Sequence, residues 1–120
     1  MNERKLVLVV EDDPEIRFVV RQVLESEGYS VVEAENGQQA VSRIDQGLSP
    51  HLILLDLNMP VMDGKEFLSV RKSRPDMHSI PVIVITASMN EKAADGATAF
   101  LRKPPDLERL IALVQEHCLG

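Results

Sequence analysis

The chain has 120 residues, 44% apolar and 27% charged, which suits one soluble domain over 1–120 with a substantial core and leaves no room for a second. A net charge of −6, no basic stripe and only 3% aromatic residues argue against direct nucleic-acid binding. The single cysteine, Cys118, excludes an internal disulfide and a cysteine-based metal site.

In chain order, the first strand pattern is Lys5–Val10, ending against the acids Glu11, Asp12 and Asp13. Asp13-Pro14 then opens a helix pattern that runs to Glu27, with Ile16, Val19, Val20, Val23 and Leu24 on one stripe and Gly28 as its stop. Ser30–Glu33 is a mixed second strand, and Gln38–Gln46 a short helix with Val41 and Ile44 inward. Leu52–Leu55 is a third strand, continuously apolar, that delivers Asp56; the turn signal Asp63-Gly64 precedes a helix over Lys65–Lys72. Val82–Thr86 and Ala99–Arg102 are the fourth and fifth strands, and Asp106 is placed to cap a last helix ending at His117, with Leu107, Leu110, Ile111 and Val114 on one face. Strict strand–helix alternation predicts an α/β domain built on a parallel sheet. Strands one, three and four read as covered on both faces, two and five as edge or near-edge strands. Between strands four and five lie only Ala87 to Thr98, broken by Asp95-Gly96, so a helix there has about two turns at most. No apolar run can cross a bilayer and no charged-then-apolar leader is present, so the expected location is the cytoplasm.

The chemistry collects where ligands bind in such folds, at the carboxyl ends of the strands. Those ends carry Glu11 and Asp12, Asp56, Thr86 and Lys103. Clustered carboxylates repel unless a cation compensates them. Hard oxygen ligands suit Mg²⁺, which takes one or two carboxylates plus a phosphate oxygen. An aspartate beside such a cation is a competent nucleophile toward phosphorus, and a lysine with a hydroxyl can clamp the transferred oxygens. The layout suits phosphoryl transfer onto Asp56.

The segments Val9-Val10-Glu11-Asp12-Asp13, Leu54-Leu55-Asp56-Leu57-Asn58-Met59-Pro60-Val61-Met62-Asp63-Gly64, Ile85-Thr86-Ala87 and Lys103-Pro104 together resemble the receiver domain of two-component response regulators. The resemblance covers essentially the whole chain. It implies a doubly wound, flavodoxin-like five-stranded parallel sheet of order 2-1-3-4-5, like that of the chemotaxis regulators. It implies Asp56 as phosphoacceptor, Asp12 as direct Mg²⁺ ligand with Glu11 beside it, often acting through water, and the backbone carbonyl of Asn58 as a further ligand. Thr86 corresponds to the mobile hydroxyl, Phe100 to the aromatic switch, and Lys103 to the amine that pairs with the phosphoryl group, before a bond to Pro104 that is usually cis. A histidine kinase or phosphotransfer protein is the implied donor; the output partner is unknown, and a homodimer stays open. Two features depart from the family pattern: a short or missing fourth helix after Thr86, and Pro105 where an aromatic residue is usual.

Plainer readings stand beside these. Glu11 and Asp12 alone could be turn acids, Asp13 reads as a helix cap, Asp63 as a turn residue and Phe100 as core. His51, His78 and His117 lack ligand spacing and read as surface residues, and Cys118 as an inert helix end. Among other functions, an aspartyl-phosphate phosphatase needs a second aspartate two residues past the nucleophile, where this chain has Asn58. As a receiver it would lose its acyl phosphate only slowly, with Asn58 and Ser88 tuning water access. A phosphorylation-independent adaptor is argued against by the intact acids and lysine but stays open because of the short segment between strands four and five. A flavin-binding domain lacks its phosphate loop after strand one.

Overall fold

The computed structural model describes residues 4–87 and 96–118. Its elements run β1 (Leu6–Val10), α1 (Pro14–Ser26), β2 (Ser30–Ala34), α2 (Gly37–Asp45), β3 (Leu52–Asp56), α3 (Gly64–Ser73), β4 (Val82–Thr86), β5 (Ala99–Arg102) and α4 (Leu107–His117). The strands form one parallel sheet in the order β2-β1-β3-β4-β5, as expected, with β2 and β5 at the edges. The expected short or missing helix between β4 and β5 falls on residues 88–95, outside the described ones.

Alternation along the central strands divides the core in two. Val7, Val9, Leu52, Leu54, Ile83 and Ile85 face α1 and α4, where Val20, Leu24, Leu110 and Val114 meet them. Leu8, Val10, Ile53, Leu55, Val82 and Val84 face α2 and α3, where Ala40, Ile44, Phe67 and Leu68 close the other layer. Helices on both faces explain why these strands are apolar at every position.

The helix starts follow the sequence chemistry. Asp13 caps α1 through Oδ1, which accepts from Glu15 N–H at 2.9 Å, and Asp106 caps α4 by accepting from Glu108 N–H at 3.0 Å. Asp63, read as a turn residue, proves to be the cap of α3 and accepts from Glu66 N–H at 2.9 Å. Gly28 follows α1 at φ +94°, a left-handed conformation glycine adopts without strain.

Some expectations shift by a helical position. In α1 only Val20 and Leu24 of the stripe are buried, and Val19 is 44% exposed. In α2 it is Ala40 that joins Ile44 inside, with Val41 only partly covered. In α4 Leu113 is buried where Ile111 was expected. His51 is half-buried, and its Nδ1 accepts from Leu6 N–H at 3.0 Å, so it ties the start of β1 to the start of β3. Cys118 stands at the end of α4, as expected, and packs into the α1/α4 core, where burial pushes its thiol pKa up.

Candidate functional site

The predicted residues meet at the carboxyl ends of β1, β3, β4 and β5. Register sets this up: Val10 lies opposite Leu55, Asp56 opposite Ile85, and Thr86 opposite Arg102. Asp56 therefore ends the central strand one step beyond the last β1 pair, with Glu11 alongside. Among the described residues Glu11, Asp56 and Thr86 are the buried polar ones, and Asp12 is exposed at the mouth of the cluster.

One carboxylate oxygen each from Glu11, Asp12 and Asp56 lies within 4.8 Å of the others. Lys103 Nζ reaches into the same cluster, 2.8 Å from Glu11 Oε1 and 3.3 Å from Asp56 Oδ2. Its backbone N–H donates to Thr86 carbonyl at 2.9 Å, which fixes the lysine at the end of β4, and the Lys103-Pro104 bond is cis.

Burial, seconded by the charge of Asp56, pushes the Glu11 carboxyl up from 4.5 to about 7, even though its hydrogen bond with Lys103 works the other way. Burial alone would lower the Lys103 amine, but Glu11 and Asp56 outweigh it and hold the amine above its ordinary value. One ammonium thus offsets two buried carboxylates, with Asp12 beside them. The set is short of positive charge, all-oxygen, and partly open, which is the donor chemistry a hard divalent cation takes. Residues Glu11, Asp12 and Asp56 fit Mg²⁺ on that ground.

The loop after β3 is held tightly under the site. Asn58 N–H donates to Asp56 Oδ1 at 3.2 Å, and Gly64 N–H to Leu57 carbonyl at 3.0 Å. Gly64 is needed for space, since a Cβ there would lie 2.6 Å from both Asp56 O and Leu57 Cα. Farther along, Met62 N–H donates to Pro60 carbonyl at 2.8 Å, closing a three-residue turn with Val61 at φ +68°.

Phe100 pairs with Val84 in register and is half-buried against the α2/α3 core, so its ring has the packing that the plainer reading expected. Pro105 lines an apolar groove of about 300 Å³ with Ile16, Val19, Pro104 and Leu107, between α1 and the turn into α4. Ser88 lies outside the described residues.

Arg17 escaped the sequence reading. Its Nη1 donates to the carbonyls of Glu11 at 2.8 Å and Asp12 at 3.4 Å, and its Nε to Glu33 Oε1 at 3.1 Å. The available signal was spacing: Arg17 follows Asp13 by four residues, and helical side chains lean back toward the N-terminus.

The family model for the response regulator receiver domain matches residues 7–115. An uncharacterized 14.6 kDa protein of Leptolyngbya boryana is 38% identical over 119 residues, covering 95% of this chain and 90% of that one. The chemotaxis response regulator CheY4 of Vibrio cholerae is similar in structure, with a TM-score of 0.85 and 31% identity over 95% of this chain and 98% of its own. The receiver domain of sensor histidine kinase PA1611 from Pseudomonas aeruginosa PAO1 gives a TM-score of 0.88 at 27% identity, covering 98% of this chain and 100% of its own. That domain has a magnesium ion coordinated in its active-site cleft. The chain spans only 24% of the length of the DNA-binding transcriptional regulator NtrC of Salmonella typhimurium, to which it is 36% identical. Among the described residues no helix is long and apolar enough to cross a membrane.

Proposed function

The chain belongs to the response regulator receiver domain family, and from that premise we propose that it accepts a phosphoryl group on Asp56 from a phosphohistidine of a histidine kinase or phosphotransfer protein. The observation that carries this is the convergence on Asp56 of the Glu11 and Asp12 carboxylates, within 4.8 Å, and the Lys103 ammonium at 3.3 Å.

In the transfer a carboxylate oxygen of Asp56 attacks phosphorus. The phosphorus–nitrogen bond of the donor breaks, and the imidazole leaves with the electron pair and takes up a proton. Glu11, Asp12 and Asp56 would hold Mg²⁺ with the backbone carbonyl of Asn58. The cation, when bound, supplies the positive charge that lets an anionic nucleophile meet an anionic phosphoryl group. Lys103, already anchored between Glu11 and Asp56, is placed to pair with a phosphoryl oxygen.

The new group brings close to two negative charges. Lys103 and the Thr86 hydroxyl respond to it, and the shift of Thr86 is passed to Phe100 on the neighbouring strand β5, altering the surface offered to a partner. Asn58 stands where a phosphatase of this architecture needs an acid, so the acyl phosphate is lost slowly and the domain works as a signalling acceptor rather than an enzyme.

Intact-protein mass after incubation with acetyl phosphate tests the reading. Wild type should gain one phosphoryl group only with Mg²⁺ present, and Asp56→Asn should gain none. Labelling of Asp56→Asn at the wild-type rate overturns the assignment.

A further inference from the structure

We propose that Arg17 is a positioning residue of the cation site, holding the backbone of Glu11 and Asp12 so that their carboxylates meet Mg²⁺ in register. This rests on the reading above that those two acids hold the ion.

The geometry is that of a brace between two strands. Strand β1 ends at Val10, so the Glu11 carbonyl lies past the ladder. Glu11 N–H still donates to Ala34 carbonyl of β2 at 3.0 Å, and Arg17 Nη1 donates to the Glu11 carbonyl at 2.8 Å. The same guanidinium reaches Asp12 carbonyl at 3.4 Å, so one side chain touches the backbone of both acids.

Arg17 is itself held. Its side chain is only 14% exposed, and its Nε sits 3.1 Å from Glu33 Oε1 on β2. The other oxygen of Glu33 is taken by Arg21 Nη1 at 2.7 Å, one turn farther along α1. Glu35 lies 3.9 Å from Arg17 Nη2. With Nε and Nη1 turned toward Glu33 and the two carbonyls, and acids on its flank, the guanidinium serves as a fixed fork rather than as a free cation aimed at the phosphoryl group.

Mg²⁺ demands near-ideal geometry at short ligand distances, so a ligand pair on a loosened turn binds it poorly. Groups that orient metal ligands typically matter about 10–100-fold in affinity. Charge alone predicts the opposite sign, because removing a cation beside an acidic cluster should tighten binding of Mg²⁺.

The test is the Mg²⁺ dissociation constant of the whole chain, measured by calorimetry without phosphodonor, for wild type, Arg17→Met, Arg17→Lys and Glu33→Gln. Arg17→Met keeps most of the apolar stem and removes every donor. It should weaken Mg²⁺ about tenfold or more. The Mg²⁺ concentration giving half-maximal phosphorylation should rise by the same factor, with the rate at saturating Mg²⁺ within about twofold of wild type. Arg17→Lys can reach Glu33 or the carbonyls but not both, and should fall between; it serves alone if Arg17→Met does not fold. Glu33→Gln, which leaves Arg17 in place but loosens its anchor, should weaken Mg²⁺ in the same direction by less.

Unchanged or tighter Mg²⁺ binding in folded Arg17→Met or Arg17→Lys overturns the inference, leaving Arg17 a stabilising ion pair or a bystander charge. Failure of wild type to bind Mg²⁺ or to become phosphorylated strikes the underlying reading instead, so the two failures are distinct.

Discussion

Two short segments frame Asp56, and they are built by different means. The turn after β1, Glu11 to Asp13, is held by charge and side-chain hydrogen bonds: Lys103 on Glu11 Oε1, Asp13 N–H on Glu11 Oε2 at 3.2 Å, and Arg17 on the carbonyls. The loop after β3, Leu57 to Asp63, is held by close backbone approach and by the absence of side chains at Gly64 and Gly37, where a Cβ would strike Asp56 and Leu57 in one case and Met62 in the other. The first segment therefore answers to pH and cations, the second to steric changes of a single methyl. On the proposed reading, a rim that accepts a doubly charged group next to its own acids keeps the variable part electrostatic and the support of Asp56 rigid.

The sharpest way to break this contrast is Gly64→Ala. The added methyl meets backbone at 2.6 Å from two sides and the Leu57 side chain at 2.8 Å, so either α3 or the end of β3 must shift. Overpacking against backbone should cost about 3 kcal/mol, with Asp56 displaced and phosphorylation slowed even where the fold survives. Urea unfolding together with the acetyl-phosphate rate reads both. A variant as stable and as fast as wild type would mean that the loop is soft, and the contrast would fall.

The charged segment should respond to pH with a defined sign. The folded Glu11 carboxyl titrates near 7 and the unfolded one near 4.5, so between those values the folded state binds a proton that the unfolded state has released. Stability from this group is therefore full below about pH 4.5 and is lost as pH rises toward 7. In Mg²⁺-free buffer at pH 8, Glu11→Gln should be more stable than wild type by about 2 kcal/mol, a margin that shrinks as pH falls to 5. Saturating Mg²⁺ should stabilise wild type and reduce that margin, because on the proposed reading the ion would bind only the folded cluster. Parallel pH profiles for the two proteins would show that Glu11 is not the strained acid.

Much of this was legible in the sequence because it is written in local chemistry. Continuous Val/Ile/Leu runs gave β1, β3 and β4, their first polar residues gave Glu11, Asp56 and Thr86, and the caps Asp13 and Asp106 were visible as acids before apolar periodicity. The segments resembling a known family then ordered the sheet. What stayed hidden depends on distance in space. Whether Val19 or Val20 faces the core is decided by how α1 lies against β1 and β3, which periodicity fixes only to within a residue. His51 looked like a surface residue because its partner, Leu6 N–H, is 45 residues away. Arg17 was hinted at only by its spacing from Asp13, because the backbone carbonyls it braces carry no sequence signature of their own. Gly64 was seen as a turn former, whereas its Cβ-less approach to Asp56 is what the fold requires.

The smallest expected effect concerns Val61, where the steric segment carries a flaw of its own. A β-branched residue at φ +68° is held against its preference, here by the Met62 N–H bond to Pro60 carbonyl and by the tether from Gly37 N–H to Met62 carbonyl at 2.9 Å. Val61 is 71% exposed, so little burial offsets the strain. Asparagine tolerates this conformation without the full entropic penalty of glycine, so Val61→Asn should raise stability by about 1 kcal/mol in urea unfolding. The rate of phosphorylation should stay near wild type, since the Val61 side chain makes none of the contacts described at Asp56. A gain in stability with an unchanged rate would show that strain in this loop is incidental to the site. A gain accompanied by slower phosphorylation would show instead that the strained turn helps hold Asp56 in place, moving Val61 from a defect to a part of the rigid support.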